Sequence, residues 1–170
     1  MPLPDHILIR PARWEDVDSI VAFSTGMALE TEGRRLDQAK LREGTCSLLA
    51  APERGFFTVA ELPDAGCHRL VGQLMITFEW SDWRNAVFWW VQSVYVAPAW
   101  RRQGVFRAMH GHIVAKAKAD PQVCGIRLYV ERNNHSAQTV YQHVGIAPSA
   151  YTVYEQDFVL GRHVSPSQDK

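Results

Sequence analysis

Gln92–Met109, QSVYVAPAWRRQGVFRAM, is the stretch around which the remaining sequence falls into place. It opens as a strand: Val91, Val94 and Val96 are β-branched and Tyr95 is aromatic, a composition suited to a half-buried pleated surface. Pro98 has no N–H for a sheet ladder, so the strand ends about there. From Gly104 the spacing turns helical, with Val105, Ala108, Met109, His112 and Ile113 on one face. Between strand and helix lies Trp100-Arg101-Arg102-Gln103-Gly104, two cations and a glycine at a helix N-terminus. Backbone N–H groups and the positive end of the helix dipole favour an anion there, above all phosphate. Gly104 lets a ligand approach the backbone where a Cβ would collide. By its residues alone, the segment reads equally as an anion site or as a polar connection that binds nothing.

VYVAPAWRRQGVFRAM resembles the acetyl-CoA motif of the GNAT superfamily of N-acetyltransferases: a hydrophobic strand, Pro, Arg or Gln, two residues, Gly, one residue, Gly or Ala, then a helix. Arg101 and Gly104 fill the first two fixed positions, and Phe106 departs at the third, crowding the loop. A second stretch, Asn134-His135-Ser136-Ala137 followed by Tyr141 and Gly145-Ile146, is similar to the family's later segment. The likeness is sharpest over Val71–Ile146.

The resemblance implies the GNAT fold: mixed α/β, a mostly antiparallel twisted sheet of roughly six to seven strands splayed at the cofactor site, and about four flanking helices. It implies acetyl-CoA as cofactor. The backbone of Val94, Tyr95 and Val96 would pair with the pantetheine arm, and Arg101, Arg102, Gln103, Gly104, Val105, Phe106 and Arg107 would hold the pyrophosphate. Asn134 reads first as a helix N-cap, with a cofactor contact as its implied second role. Tyr141 stands where the family's general acid protonates the departing thiolate; the alternative is a core aromatic beside Val140 and Val144.

The 170 residues read as one domain over 1–162 with a polar tail at 163–170. The 46% apolar and 21% charged fractions match an ordinary globular protein. Eighteen basic and eighteen acidic residues cancel without long runs of either sign, so neither nucleic acid nor an anionic membrane is an expected partner. Cys46, Cys67 and Cys124 are few, odd in number and widely spaced, which argues for a reducing compartment. No apolar run approaches the ~20 residues of a membrane span, and Met1–Asp5 lacks signal-peptide character. A cytoplasmic protein is expected.

In chain order, a short strand at Ile7–Arg10 stops at Pro11, and a helix over Ala12–Glu30 carries Trp14, Val17, Ile20, Val21 and Ser24 on one face. A second helix begins at Asp37. Strands at Phe56–Leu62, Leu70–Trp80 and Val87–Val96 form an antiparallel meander, with a turn at Pro63-Asp64-Ala65-Gly66. After the motif helix come a strand at Gly125–Val130, a helix from Asn134 to about His143 capped by Gly145, and an alternating last strand at Tyr151–Leu160, with a short partner near Ile146.

The general base is less direct. Many family members carry Glu where this chain has Gln92, and an amide cannot accept the proton. Glu79 is the leading candidate, with Asp82, Glu30 and Glu32 as alternatives, and water can serve instead. Glu30, Glu32, Trp80, Trp90 and Gln92 are assigned to the acceptor side, where the acids would suit a cationic amine. Alternation sends Trp89 and Trp90 to opposite sheet faces, so one is core and the other lines a pocket or a homodimer interface. Cys124 has no His partner in sequence, His110 and His112 do not share a helix face, and no zinc spacing occurs.

The expected activity is direct transfer of acetyl from acetyl-CoA to a primary amine of a small molecule, without metal. Two other readings stand beside it: an acetyltransferase of protein N-termini or lysines, and a CoA-binding module without catalysis.

Overall fold

The computed structural model describes residues 7–64 and 67–158. Strand Leu8–Pro11 (β1) leads through a 3-10 turn at Trp14–Asp16 into helices Val17–Glu32 (α1) and Gln38–Ala50 (α2). Strands Gly55–Asp64 (β2), Cys67–Ser81 (β3) and Ala86–Val96 (β4) follow, then helix Val105–Ala119 (α3), strand Val123–Leu128 (β5) and helix His135–His143 (α4). The sheet runs β1-β2-β3-β4-β5. Its first three pairings are antiparallel, and β4–β5 is parallel, with α3 as the crossover that a parallel pair requires. The chain divides into two compact units, the first ending at Asn134 and the second starting with α4.

In the first unit, alternation along the strands builds a core on each sheet face. One core joins Leu74, Ile76, Trp89 and Val91 to Val105, Met109 and Ile113 of α3. The other joins Phe57, Val59 and Leu70 to Ile20 of α1 and Leu48 of α2. Trp89 is the buried member of the tryptophan pair, and Trp90 lies half-buried on the other face. Gly72 lets α3 lie close over β3: a Cβ there would stand 3.1 Å from both Met109 Cε and the Tyr95 carbonyl oxygen, contacts tight enough to push a neighbour aside.

Under the 3-10 turn lies a buried ionic cluster. Arg10 donates to both oxygens of Asp16, at 2.7 and 3.0 Å, and through Nε to Glu61. Burial pushes the Asp16 carboxyl up, but the bonds from Arg10 and from the Arg13 amide outweigh it and hold it below the usual range. The same pairing raises the Arg10 guanidinium further above its ordinary value.

Several expectations need correction. Among the described residues the sheet has five strands, not six or seven. Residues 151–158 form no strand, nor does the chain near Ile146, while 159–160 and the 163–170 tail lie outside the described residues. Alternation only makes a segment suitable for pairing, and Tyr151, Val153, Tyr154 and Phe158 are all well exposed. Pro11 ends β1 from inside it, paired with Thr58. Trp14 is 58% exposed rather than part of a core face, because helix α1 starts three residues later. On α3 the buried histidine is His110, not His112. The two flank the Val105–Met109–Ile113–Ala117 stripe on opposite edges, and helical period alone cannot choose between them. Burial lowers the pKa of His110, whose ring packs on Phe106 at 5.8 Å.

Candidate active site

β4 pairs with β5 from Val87 to Val91, where its partner is Leu128; β4 then continues to Val96, while β5 ends. Among the described residues of this unit, no strand therefore pairs with the edge of Gln92–Val96 that faces away from β3. Its other edge stays paired: Met75, Leu74, Gln73 and Gly72 meet Ser93, Val94, Tyr95 and Val96. Between Met75↔Ser93 and Ile76↔Val91, Gln92 is the extra residue of a bulge. A bulge of this kind twists the strand and re-aims its side chains, here at the point where the sheet opens.

The chain leaves β4 through a 3-10 turn at Pro98–Trp100 and enters α3 at Gly104, which takes φ 83°, ψ 0°. Gly104, at the N-cap, has no side chain to accept from the first-turn amides. Arg102 also adopts a positive φ, 61°, and successive turns of this kind form an amide-lined concavity suited to anions. Arg102 and Arg107 are exposed and join no ion pair among the described residues. Gln103 donates to the Ala99 carbonyl at 2.7 Å, closing the loop on itself. Phe106 lies half-buried along the helix beside His110.

Arg101 behaves differently from its neighbours. Its Nε donates to the Val96 carbonyl at 2.9 Å and its Nη2 pairs with Glu30 at 2.6 Å. Tyr95 donates its hydroxyl to the other Glu30 oxygen at 2.8 Å, and the guanidinium sits over the Tyr95 ring. The Tyr95 bond and then Arg101 lower the Glu30 pKa; burial, seconded by Glu30, raises that of Tyr95.

A second cluster lies on the sheet face that carries Trp90. Glu79 accepts from Trp90 Nε1 and from Arg127 at 2.6 Å. Gln92 donates to Thr77 at 2.7 Å and accepts from the Tyr129 hydroxyl, while the Trp90 and Tyr129 rings lie 5.4 Å apart. Trp80 belongs elsewhere: it pairs with Val87, one step out of phase with Trp90, and emerges on the opposite face. Glu30, Glu32 and Glu79 each have an arginine, respectively Arg101, Arg34 and Arg127. Glu30, Glu32 and Glu79, so matched, do not by themselves make a surplus of negative charge. Thr77 and Arg127 reach Gln92 and Glu79 by pairing across strands, and Tyr129 follows the end of β5; spacing in the sequence signals none of the three.

In the second unit, α4 carries Tyr141, half-buried, with its phenol pKa raised by that burial. Gly145 at φ 86° closes the helix, and the Ile146 amide returns to the Tyr141 carbonyl at 3.0 Å. Asn134 immediately precedes α4, as an N-cap would, and its own amide bonds to the Glu131 carbonyl.

The profile of the acetyltransferase (GNAT) family matches residues 14–146. The chain belongs to this acetyltransferase family. A solved possible acetyltransferase from Clostridium difficile 630 is 38% identical, with TM-score 0.83, over 91% of this chain and 99% of that one. Two more distant GNAT-fold structures share the architecture alone. One is an aminoglycoside N-acetyltransferase in complex with CoA, 14% identical with TM-score 0.71, covering 93% of this chain and 99% of that one. The other is a ribosomal-protein-alanine N-acetyltransferase from Brucella melitensis biovar Abortus 2308, 16% identical with TM-score 0.69, covering 89% and 99%. No curated protein matches the chain. Among the described residues no helix is long and apolar enough to cross a membrane, and no His, Cys, Asp or Glu cluster is placed to hold a metal ion.

Proposed function

We propose that this GNAT protein transfers acetyl from acetyl-CoA to a primary amine of a small molecule, directly and within a ternary complex. The observation that carries the reading is the joint presence of an open strand edge, Gln92–Val96, and an uncapped helix N-terminus entered through Gly104. An extended amide-bearing arm fits the first by strand addition, and a pyrophosphate fits the second. When bound, acetyl-CoA supplies an acetyl group activated as a thioester.

The chain's own residues have separable tasks in this reading. The amides from Arg102 to Val105 face an anion, and the exposed Arg102 and Arg107 add positive charge beside it. Val94, Tyr95 and Val96 offer backbone groups along the open edge. Tyr141 is the acid we assign, because its segment, Asn134–Ile146, matches the family's later motif and a phenol is protonated at neutral pH. Trp90, Tyr129 and Gln92 wall the acceptor side with two rings and an amide. Glu79 accepts one bond on each oxygen, from Trp90 and Arg127, and keeps a lone pair on each for the amine proton; water is the other route.

Titration calorimetry with acetyl-CoA, followed by an acetylation screen over amino acids, polyamines, aromatic amines and peptides, tests the proposal. Micromolar cofactor binding with turnover of a small amine is expected. Turnover of peptides alone would move the acceptor to protein; binding without any turnover would leave a CoA-binding module.

A further inference from the structure

The first arginine of the loop is already engaged by protein partners. Arg101 is held at both ends of its guanidinium, by the Val96 carbonyl at 2.9 Å and by Glu30 at 2.6 Å. Glu30 lies in the last turn of α1 and is itself fixed by the Tyr95 hydroxyl at 2.8 Å. Tyr95 is wedged against α1: its ring lies 5.3 Å from that of Phe23, and a Cβ on Gly26 would come within 3.0 Å of its hydroxyl oxygen. Three elements thus meet at one carboxylate: the end of α1, the open part of β4, and the loop that enters α3.

We propose that Glu30 and Tyr95 are positioning residues that hold Arg101 as a strut of the cofactor loop, so that α1 fixes the loop's shape and Arg101 contributes geometry rather than a phosphate contact. This rests on the reading of residues 101–107 as the acetyl-CoA loop. The two roles open to Arg101 have opposite signatures. A strut loses its purpose when Glu30 is removed, and the loop loosens. A phosphate ligand restrained by Glu30 would instead be freed by that removal and would bind the anion more tightly. The Glu30–Arg101 pair is part-exposed, at 41% and 43% of the side-chain surface, so its effect is modest in size and its direction is what decides.

The experiment measures acetyl-CoA affinity by calorimetry, and KM and kcat at varied acetyl-CoA and acceptor, for wild type, Glu30→Ala, Tyr95→Phe, Arg101→Ala and the Glu30→Ala/Arg101→Ala double variant. For a strut, Glu30→Ala and Arg101→Ala each weaken acetyl-CoA roughly fivefold, and the double variant is no weaker than either alone. KM for acetyl-CoA rises by a larger factor than the acceptor KM or the fall in kcat, a split that general loss of structure would not produce. Tyr95→Phe keeps the ring on Phe23 and removes only the hydroxyl, so it tests the strut even if Glu30→Ala folds poorly. Tighter binding by Glu30→Ala, unchanged binding in all variants, or additive losses in the double variant would each overturn the proposal with the acetyl-CoA reading intact. Failure of the wild type to bind acetyl-CoA would overturn both.

Discussion

Val91 and Leu128 are the last residues at which β4 and β5 pair, and from that point the two strands part. What lies beyond Val91 is backbone with one edge in the sheet and the other unpaired by any strand among the described residues, running directly into the turn that ends at Gly104. Gly104 carries both the left-handed turn and the approach to the amides. Gly104→Glu should therefore lower acetyl-CoA affinity at least about tenfold, through an unfavourable positive φ and a negative charge beside the anion. Gly104→Ala, which adds the backbone cost and a Cβ but no charge, should lose less. Calorimetric titration checks the order, and equal affinities across the three proteins would remove the loop assignment.

Tyr141→Phe should slow turnover by about a hundredfold while leaving acetyl-CoA affinity unchanged, as loss of a general acid does. Steady-state kinetics with calorimetry separates this from a packing role. A core aromatic would keep its rate after losing only the hydroxyl.

Glu79 accepts from Arg127 and Trp90, so its first task is to shape the acceptor face. Glu79→Gln should raise the acceptor KM and leave the acidic limb of the pH–rate profile where it was. If that limb disappears instead, Glu79 is the base.

The buried Arg10–Asp16 pair predicts a stability effect independent of the site. Asp16→Asn should lower stability in urea unfolding, by less than the about 3–5 kcal/mol of a fully unpaired buried charge, because Glu61 still faces the Arg10 guanidinium. Asp18→Asn, which touches the exposed Arg42 pair, should leave the unfolding midpoint where it is.

His110 sets a pH dependence. Its folded pKa lies below the ordinary value of 6.5 because it is buried, so the unfolded chain binds a proton first as pH falls. The stability from a neutral His110 is complete above about pH 6.5 and declines below it, until the folded form also protonates. Thermal midpoints at pH 7.5 and 5.5 should differ more in wild type than in His110→Gln. Equal pH shifts in the two proteins would count against this.

The sequence determined the local parts. Val94–Val96, Pro98, Gly104 and the α3 period fixed strand, stop and helix, because propensity, a missing N–H and a required positive φ act within a few residues. The meander of β2, β3 and β4 followed from short turns, and the motif residues named the family. Tertiary structure decided how the parts are used. Whether Tyr151–Phe158 pairs as a strand depends on a partner edge, which alternation cannot supply. Which α3 histidine is buried depends on the helix's rotation against the sheet. The acids that looked like an acceptor's counter-charge were claimed by Arg101, Arg34 and Arg127, two of them across more than forty residues of chain. A side chain's local sequence sets what bonds it can form; only the folded neighbourhood sets which partner reaches it first.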